Sequence, residues 1–129
     1  MSNLINKLSL GTAQFGMDYG ISNVNGQVGE DQIKKIFNLA WDAGVRTIDT
    51  AKAYGNSEKN IGVCLKNFSA SSWKIITKLN YSNESFKNQF LDSRSKLRVP
   101  PYGVLAHSTE LFLDKRFQTE IQDIKKEFS

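Results

Sequence analysis

Four short apolar runs alternate with four longer stretches of helical period, and this predicts a parallel α/β fold. The architecture is TIM-barrel-type: four βα units, amounting to half of a (β/α)8 barrel. Three observations carry the prediction: the alternation itself, the helix stop signals between the units, and the polar residues that close the second, third and fourth apolar runs. Strands separated by whole helices cannot form hairpins, so they pair in parallel through right-handed crossovers.

In chain order, Leu8-Ser9-Leu10 is the first strand, closed by Gly11. The stretch from Ala13 to Gly29, rich in Gly and Asn, is the one irregular segment. It leaves the carboxyl end of the first strand, where the loops of α/β barrels carry function. From Glu30 to Ala43, Ile33, Ile36, Phe37, Ala40 and Trp41 share one helical face. Acidic Glu30 and Asp31 suit the amino-terminal turn of this helix, and Gly44 its stop. Val45 to Asp49 is the second strand, and Glu58 to Lys66 a short helix with Ile61 and Leu65 inward. Lys74 to Thr77 is the third strand. Phe86, Phe90, Ser93 and Leu97 step along the next helix until Pro100-Pro101 stops it. Val104 to Ala106 is the fourth strand, and Phe117, Ile121, Ile124 and Phe128 mark a last amphipathic helix.

The chain has 129 residues, 40% apolar and 23% charged, the composition of an ordinary globular domain, and one domain over residues 1–129 is expected. No apolar stretch approaches the roughly 20 residues of a membrane span, and Met1 to Lys7 lack the pattern of a secretory signal. A single cysteine, Cys64, cannot form an internal disulfide and fits a reducing cytoplasm. It is expected as a packed small hydrophobe. The net charge of +4 is scattered beside acids on helix faces, and no basic stripe with interleaved aromatics points to nucleic acid. One histidine and one cysteine, far apart, make no zinc site. Gly11, Gly16 and Gly20 have the wrong spacing for a dinucleotide fingerprint. Trp41 and Trp73 are expected to pack. Phe15, Met17 and Tyr19 either line a substrate pocket or pin their loop.

Four polar residues fall at or just beyond the strand ends: Asp49, Tyr54, Lys78 and the only histidine, His107. A βα barrel brings such positions together at one mouth. The set suits delivery of a proton to a carbonyl oxygen. Tyrosine, which titrates near about pH 10, is a reluctant acid, and a neighbouring ammonium such as Lys78 stabilises its anion. Asp49 would hold Lys78 charged and oriented, and His107 would donate a hydrogen bond to the substrate oxygen or join the relay. Singly, each has a plainer reading. Asp49 could cap a helix, Tyr54 could be a half-buried aromatic, Lys78 a strand-end charge and His107 a structural hydrogen-bonding group.

Three strings sharpen this: Leu10-Gly11-Thr12-Ala13-Gln14-Phe15-Gly16, then Ala43-Gly44-Val45-Arg46-Thr47-Ile48-Asp49-Thr50-Ala51, then Ala53-Tyr54-Gly55-Asn56-Ser57-Glu58. Together they resemble the aldo/keto reductases from Leu8 to about Phe128, their N-terminal half only. The resemblance implies a catalytic tetrad of Asp49, Tyr54, Lys78 and His107. It also implies NADP(H) across the barrel mouth, with Gly11, Thr12 and Asp49 near its nicotinamide end, and an aldehyde or ketone substrate. In that family most contacts to the cofactor's phosphates come from the second half of the barrel.

A four-stranded parallel sheet leaves two open edges and one uncovered face. The expectation is a homo-oligomer, or a partner chain that completes the barrel. Two alternatives to a reductase acting in this way are a non-catalytic half-barrel remnant or assembly module, and one chain of a two-chain reductase.

Overall fold

The computed structural model describes residues 7–128. The reading of the chain start falls almost wholly outside them. Strands β1 (Ser9–Gly11), β2 (Thr47–Asp49), β3 (Lys74–Leu79) and β4 (Gly103–Ala106) form one sheet in the order 1-2-3-4. All pairs are parallel, and Gly11, Asp49, Ile76 and Gly103 lie side by side across it. The helices are α1 (Glu30–Asp42), α2 (Ser57–Cys64), α3 (Phe86–Leu97), the short α4 (Thr109–Leu113) and α5 (Lys115–Phe128). This is the (βα)4 arrangement that the alternation predicts.

The helical stripes account for the packing. Ile33 and Phe37 of α1 are buried, with Ile36, Ala40 and Trp41 packed beside them. Ile61 and Leu65 follow α2 inward, and Phe86, Phe90, Ser93 and Leu97 of α3 are all buried. The core forms two clusters. One gathers Phe15, Ile48, Ile75 and Trp73 with α1 and α2. The other gathers Leu79 and Leu111 with α3 and α5. Trp41 and Trp73 pack together in the first cluster, their rings tilted at 52° with centroids 5.4 Å apart, as the packing reading expects. Cys64 is buried there too, and burial pushes its thiol up from the usual value.

Helix ends follow local chemistry. Gly44, at φ 91°, lets Val45 N–H return to Ala40 O at 2.9 Å and closes α1. Ser85 caps α3 by accepting from Asn88 N–H at 3.1 Å. A second acceptor comes from afar, because Glu120 of α5 takes Phe86 N–H at 2.8 Å. Arg98 in the left-handed region (φ 63°) and then Pro100-Pro101 turn the chain into β4.

Four details differ from the periodicity. Val45 belongs to the turn after α1, so β2 starts at Thr47. Strand β3 runs on to Leu79, because Lys78 and Leu79 pair with Leu105 and Ala106. Ala13–Phe15 form a 3-10 turn inside the loop read as irregular, and α4 intervenes before α5. Elements of three and five residues are too short to display a helical period. Burial of Phe15 and Leu111 holds them instead.

Along β3 the side chains alternate: Ile75, Thr77 and Leu79 are buried toward the helices, while Ile76 and Lys78 face the opposite, helix-free side. Both sheet edges carry an apolar cleft. The one at β1, about 360 Å³, includes Leu10, Val28 and Ile36. The one at β4, about 430 Å³, includes Phe90, Val104, Ile121 and Phe128.

Candidate active site

Sheet register does the first part of the positioning. Asp49 ends β2, and Lys78 lies two residues beyond Ile76, the residue paired with Asp49. From there the Lys78 ammonium reaches back. It donates to Asp49 Oδ1 at 2.8 Å, to Asp49 Oδ2 at 2.7 Å and to Thr50 O at 3.0 Å. All three of its protons therefore have acceptors. The same nitrogen lies 5.1 Å from the centroid of the Tyr54 ring. The His107 ring meets Tyr54 edge-on, with centroids 6.1 Å apart and planes at 78°. His107 is held at its backbone, where its N–H donates to Leu79 O at 2.9 Å and extends the β3–β4 ladder. The four residues of the sequence reading thus meet at the carboxyl ends of β2, β3 and β4.

The loop that carries Tyr54 is pinned on both sides. Thr50 N–H and Lys52 N–H donate to Ile76 O and Lys78 O at 2.9 and 3.1 Å, so the β2–β3 ladder continues past Asp49. On the other side the loop touches the turn after β1, where Asn56 N–H donates to Gly16 O at 3.3 Å. Gly16 and Gly55 permit this approach. A Cβ on Gly16 would stand 1.7 Å from Tyr54 O, and one on Gly55 2.3 Å from Gly16 O.

Gly11 and Thr12 take different places. Gly11 pairs with Asp49 and is exposed, and a Cβ built on it meets nothing within 4 Å. Thr12 is buried, its hydroxyl donating to Asp49 O at 2.8 Å and its N–H to the same oxygen at 3.1 Å. The open backbone at Gly11 beside the Asp49 carboxylate therefore suits the flat nicotinamide end of NADP(H). Thr12 acts through the Asp49 backbone. Lysines at this mouth are already engaged: Lys78 with Asp49, and Lys52 with Asp92 at 2.5 Å. The residues described here fit the ring end of the cofactor better than its phosphates. Phe15 is buried in the core and Tyr19 is exposed, and both border the cleft shared with Asp49 and Tyr54.

Sequence reasoning missed Lys52 and Asp92. Their bridge ties the Tyr54 loop to α3, and Lys96 adds a second cation to Asp92 at 2.7 Å. Burial works to raise the Asp92 carboxyl, but hydrogen bonds and charge from Lys52 and Lys96 outweigh it and hold it below its usual range. A carboxylate lowered on folding stabilises fully above the unfolded value of about 3.9. That contribution is lost as pH falls through the folded value. Urea unfolding followed from neutral pH down to about pH 3 is expected to show less acid-side loss in Asp92→Asn than in the parent. Equal losses in both would exclude the bridge as a source of acid sensitivity.

Ser57, Glu58, Thr50 and Thr77 also went unread as individual site residues, and all four are buried. The available signals were the place of Thr50, Ser57 and Glu58 in the strings that carry the resemblance, and Thr77 as a hydroxyl next to Lys78. Among the described residues, no group of three or more His, Cys, Asp and Glu is arranged to hold a metal ion. No helix among them is long and apolar enough to cross a membrane.

Fold and site together define a (βα)4 unit of barrel type with an Asp–Tyr–Lys–His cluster at its strand ends. The chain belongs to the aldo/keto reductase family, whose model matches residues 7–107. It is 32% identical over 98 residues to a D-threo-aldose 1-dehydrogenase from Pseudomonas sp, across 70% of this chain and 30% of that protein. Among solved structures it superposes on a Pseudomonas aeruginosa protein assigned to the aldo-keto reductases. The TM-score is 0.77 and the identity 26%, over 92% of this chain and 51% of that one. A thermostable aldo-keto reductase solved with the inhibitor epalrestat shares the fold, with a TM-score of 0.67 and 20% identity over 92% of this chain and 44% of that one. The chain therefore spans about half the length of these solved structures, and less of the curated relative.

Proposed function

We propose that this chain, as a single domain, carries the acid–base centre of an NADP(H)-dependent oxidoreductase that reduces an aldehyde or ketone. The observation that carries the reading is the Lys78 ammonium, bound through both oxygens of Asp49 and facing the Tyr54 ring, with His107 at that ring's edge. Reduction of a carbonyl builds negative charge on its oxygen. Tyr54 is the general acid that gives its proton to that oxygen. Lys78 offsets the phenolate left behind, and Asp49 keeps Lys78 charged and aimed. His107 donates a hydrogen bond that orients the carbonyl. Gly11, Thr12 and Asp49 border the nicotinamide end of the cofactor, Thr12 through its hold on Asp49. Bound NADP(H) supplies the hydride. Family membership and the aldose dehydrogenase relative support the oxidoreductase part of this reading.

Completion of the barrel by a second copy or by a partner chain would supply the phosphate contacts and cover the clefts at the two sheet edges. The same clefts favour a second reading, in which the unit is a non-catalytic half-barrel that serves in assembly, or one chain of a two-chain reductase. A reducing cytoplasm suits the single, buried Cys64. NADPH titration by fluorescence, with the mass in solution followed by light scattering, separates these readings. Saturable binding by a defined dimer is expected if two copies build the cofactor site. A monomer or dimer that binds no NADPH at millimolar concentration supports the assembly module or the search for a separate partner chain.

A further inference from the structure

We propose that the first turn of α2 is a clamp that sets the Asp49–Lys78 geometry, with Ser57 and Glu58 as its positioning residues. The inference rests on the reading of that pair as the acid–base centre. The first two residues of a helix are ordinarily wet, yet Ser57 is 0% and Glu58 2% exposed. The Ser57 hydroxyl is not spent on capping its own helix. It lies 2.9 Å from Thr12 O, 3.0 Å from Thr12 Oγ1 and 3.0 Å from Thr50 Oγ1. Its single proton goes to Thr12, which leaves Thr50 as the donor to Ser57.

Each of these partners bonds to Asp49 or Lys78, Thr12 at the Asp49 backbone and Thr50 at the Lys78 ammonium. Thr12 holds the Asp49 carbonyl through both its N–H and its hydroxyl. Thr50 presents the carbonyl that takes the third Lys78 proton. Glu58 grips the other side, where its Oε1 accepts from Thr77 Oγ1 at 2.6 Å, and Thr77 immediately precedes Lys78. One helical turn is thus bonded to the carboxyl ends of β1, β2 and β3. An apolar turn could bury the same surface without hydrogen-bond demands. Directional bonds between parts of the chain 7 to 45 residues apart instead fix where the two charged side chains start.

The test reads Lys78 directly and needs no cofactor. Trace acetylation followed by mass spectrometry ranks lysine reactivity, with Lys35 and Lys66 on exposed helix and turn positions as references. In the unaltered protein Lys78 is expected to react slowest. In Ser57→Ala and Thr77→Val its labelling should rise about fivefold, the factor that loss of one hydrogen bond corresponds to, with the references unchanged. Glu58→Gln keeps an acceptor for Thr77 and should leave Lys78 protected, whereas Glu58→Leu should not. Near-ultraviolet circular dichroism confirms folding, and Thr77→Val, which alters shape least, decides the matter if Ser57→Ala does not fold. Unchanged Lys78 labelling in folded Thr77→Val, or an equal rise at Lys35 and Lys66, overturns the clamp. If Tyr54→Phe proves fully active while Lys78 responds as stated, the acid–base reading falls and the clamp stands.

Discussion

If Tyr54 is the general acid of the proposed reductase, Tyr54→Phe is expected to lower carbonyl turnover about 10²- to 10⁴-fold wherever the parent turns over with NADPH, the span covered by loss of a positioned general acid. The change removes the phenolic oxygen and keeps the ring. The backbone of the residue is held by hydrogen bonds, and its ring makes the contacts to the site: the Lys78 ammonium 5.1 Å from its centroid and the His107 ring at 6.1 Å. Phe therefore preserves the packing, and NADPH binding, oligomeric mass and thermal midpoint should stay at parent values while kcat collapses. Turnover at saturating substrate, compared with binding and melting on the same preparations, checks this. Parent-level kcat would remove Tyr54 from the acid role and move attention to His107.

Gly16→Ala is expected to produce the largest loss of stability from a single added methyl. Its Cβ would lie 1.7 Å from Tyr54 O, 2.3 Å from Ser57 N and 2.8 Å from Asn56 N. All three are backbone atoms, so no rotamer change relieves the clash, and the loop after β2 must shift from the turn after β1. Overpacking of this kind costs about 1–3 kcal/mol or more. That corresponds to a fall in Tm of roughly several degrees for a domain of this size. Gly29→Ala is the control, because a Cβ there meets nothing within 4 Å. Because the displaced segment carries Tyr54, the proposed carbonyl turnover should fall along with the Tm. A Tm equal to that of Gly29→Ala would mean that the two loops are not in contact in solution.

The stripes were legible because helical period reports burial directly. Ile33 and Phe37, Ile61 and Leu65, and Phe86 through Leu97 all lie where their spacing puts them. The candidate site was legible for another reason. Asp49, Tyr54, Lys78 and His107 sit at strand ends, and a parallel βα order places all such ends on one side. The clamp was not legible. A buried serine or glutamate looks in sequence like any solvated one, and Ser57 meets Thr12 across 45 residues. Thr12 shows the same limit, since a position beside Asp49 does not reveal that its hydroxyl is spent on the Asp49 carbonyl.

The order of elements, the apolar face of each helix and the identity of the four polar residues at the strand ends could all be read before any coordinates. These follow from local period and chain direction, which neighbouring residues encode. The tertiary structure decided the distances: the two-pronged Lys78–Asp49 bond, the close passage of Gly16 beneath Tyr54, and the hydroxyl and carboxylate bonds from α2 to three strand ends. Each depends on how far one segment slides along another. That offset is set by side-chain packing summed over the whole core and by sheet register.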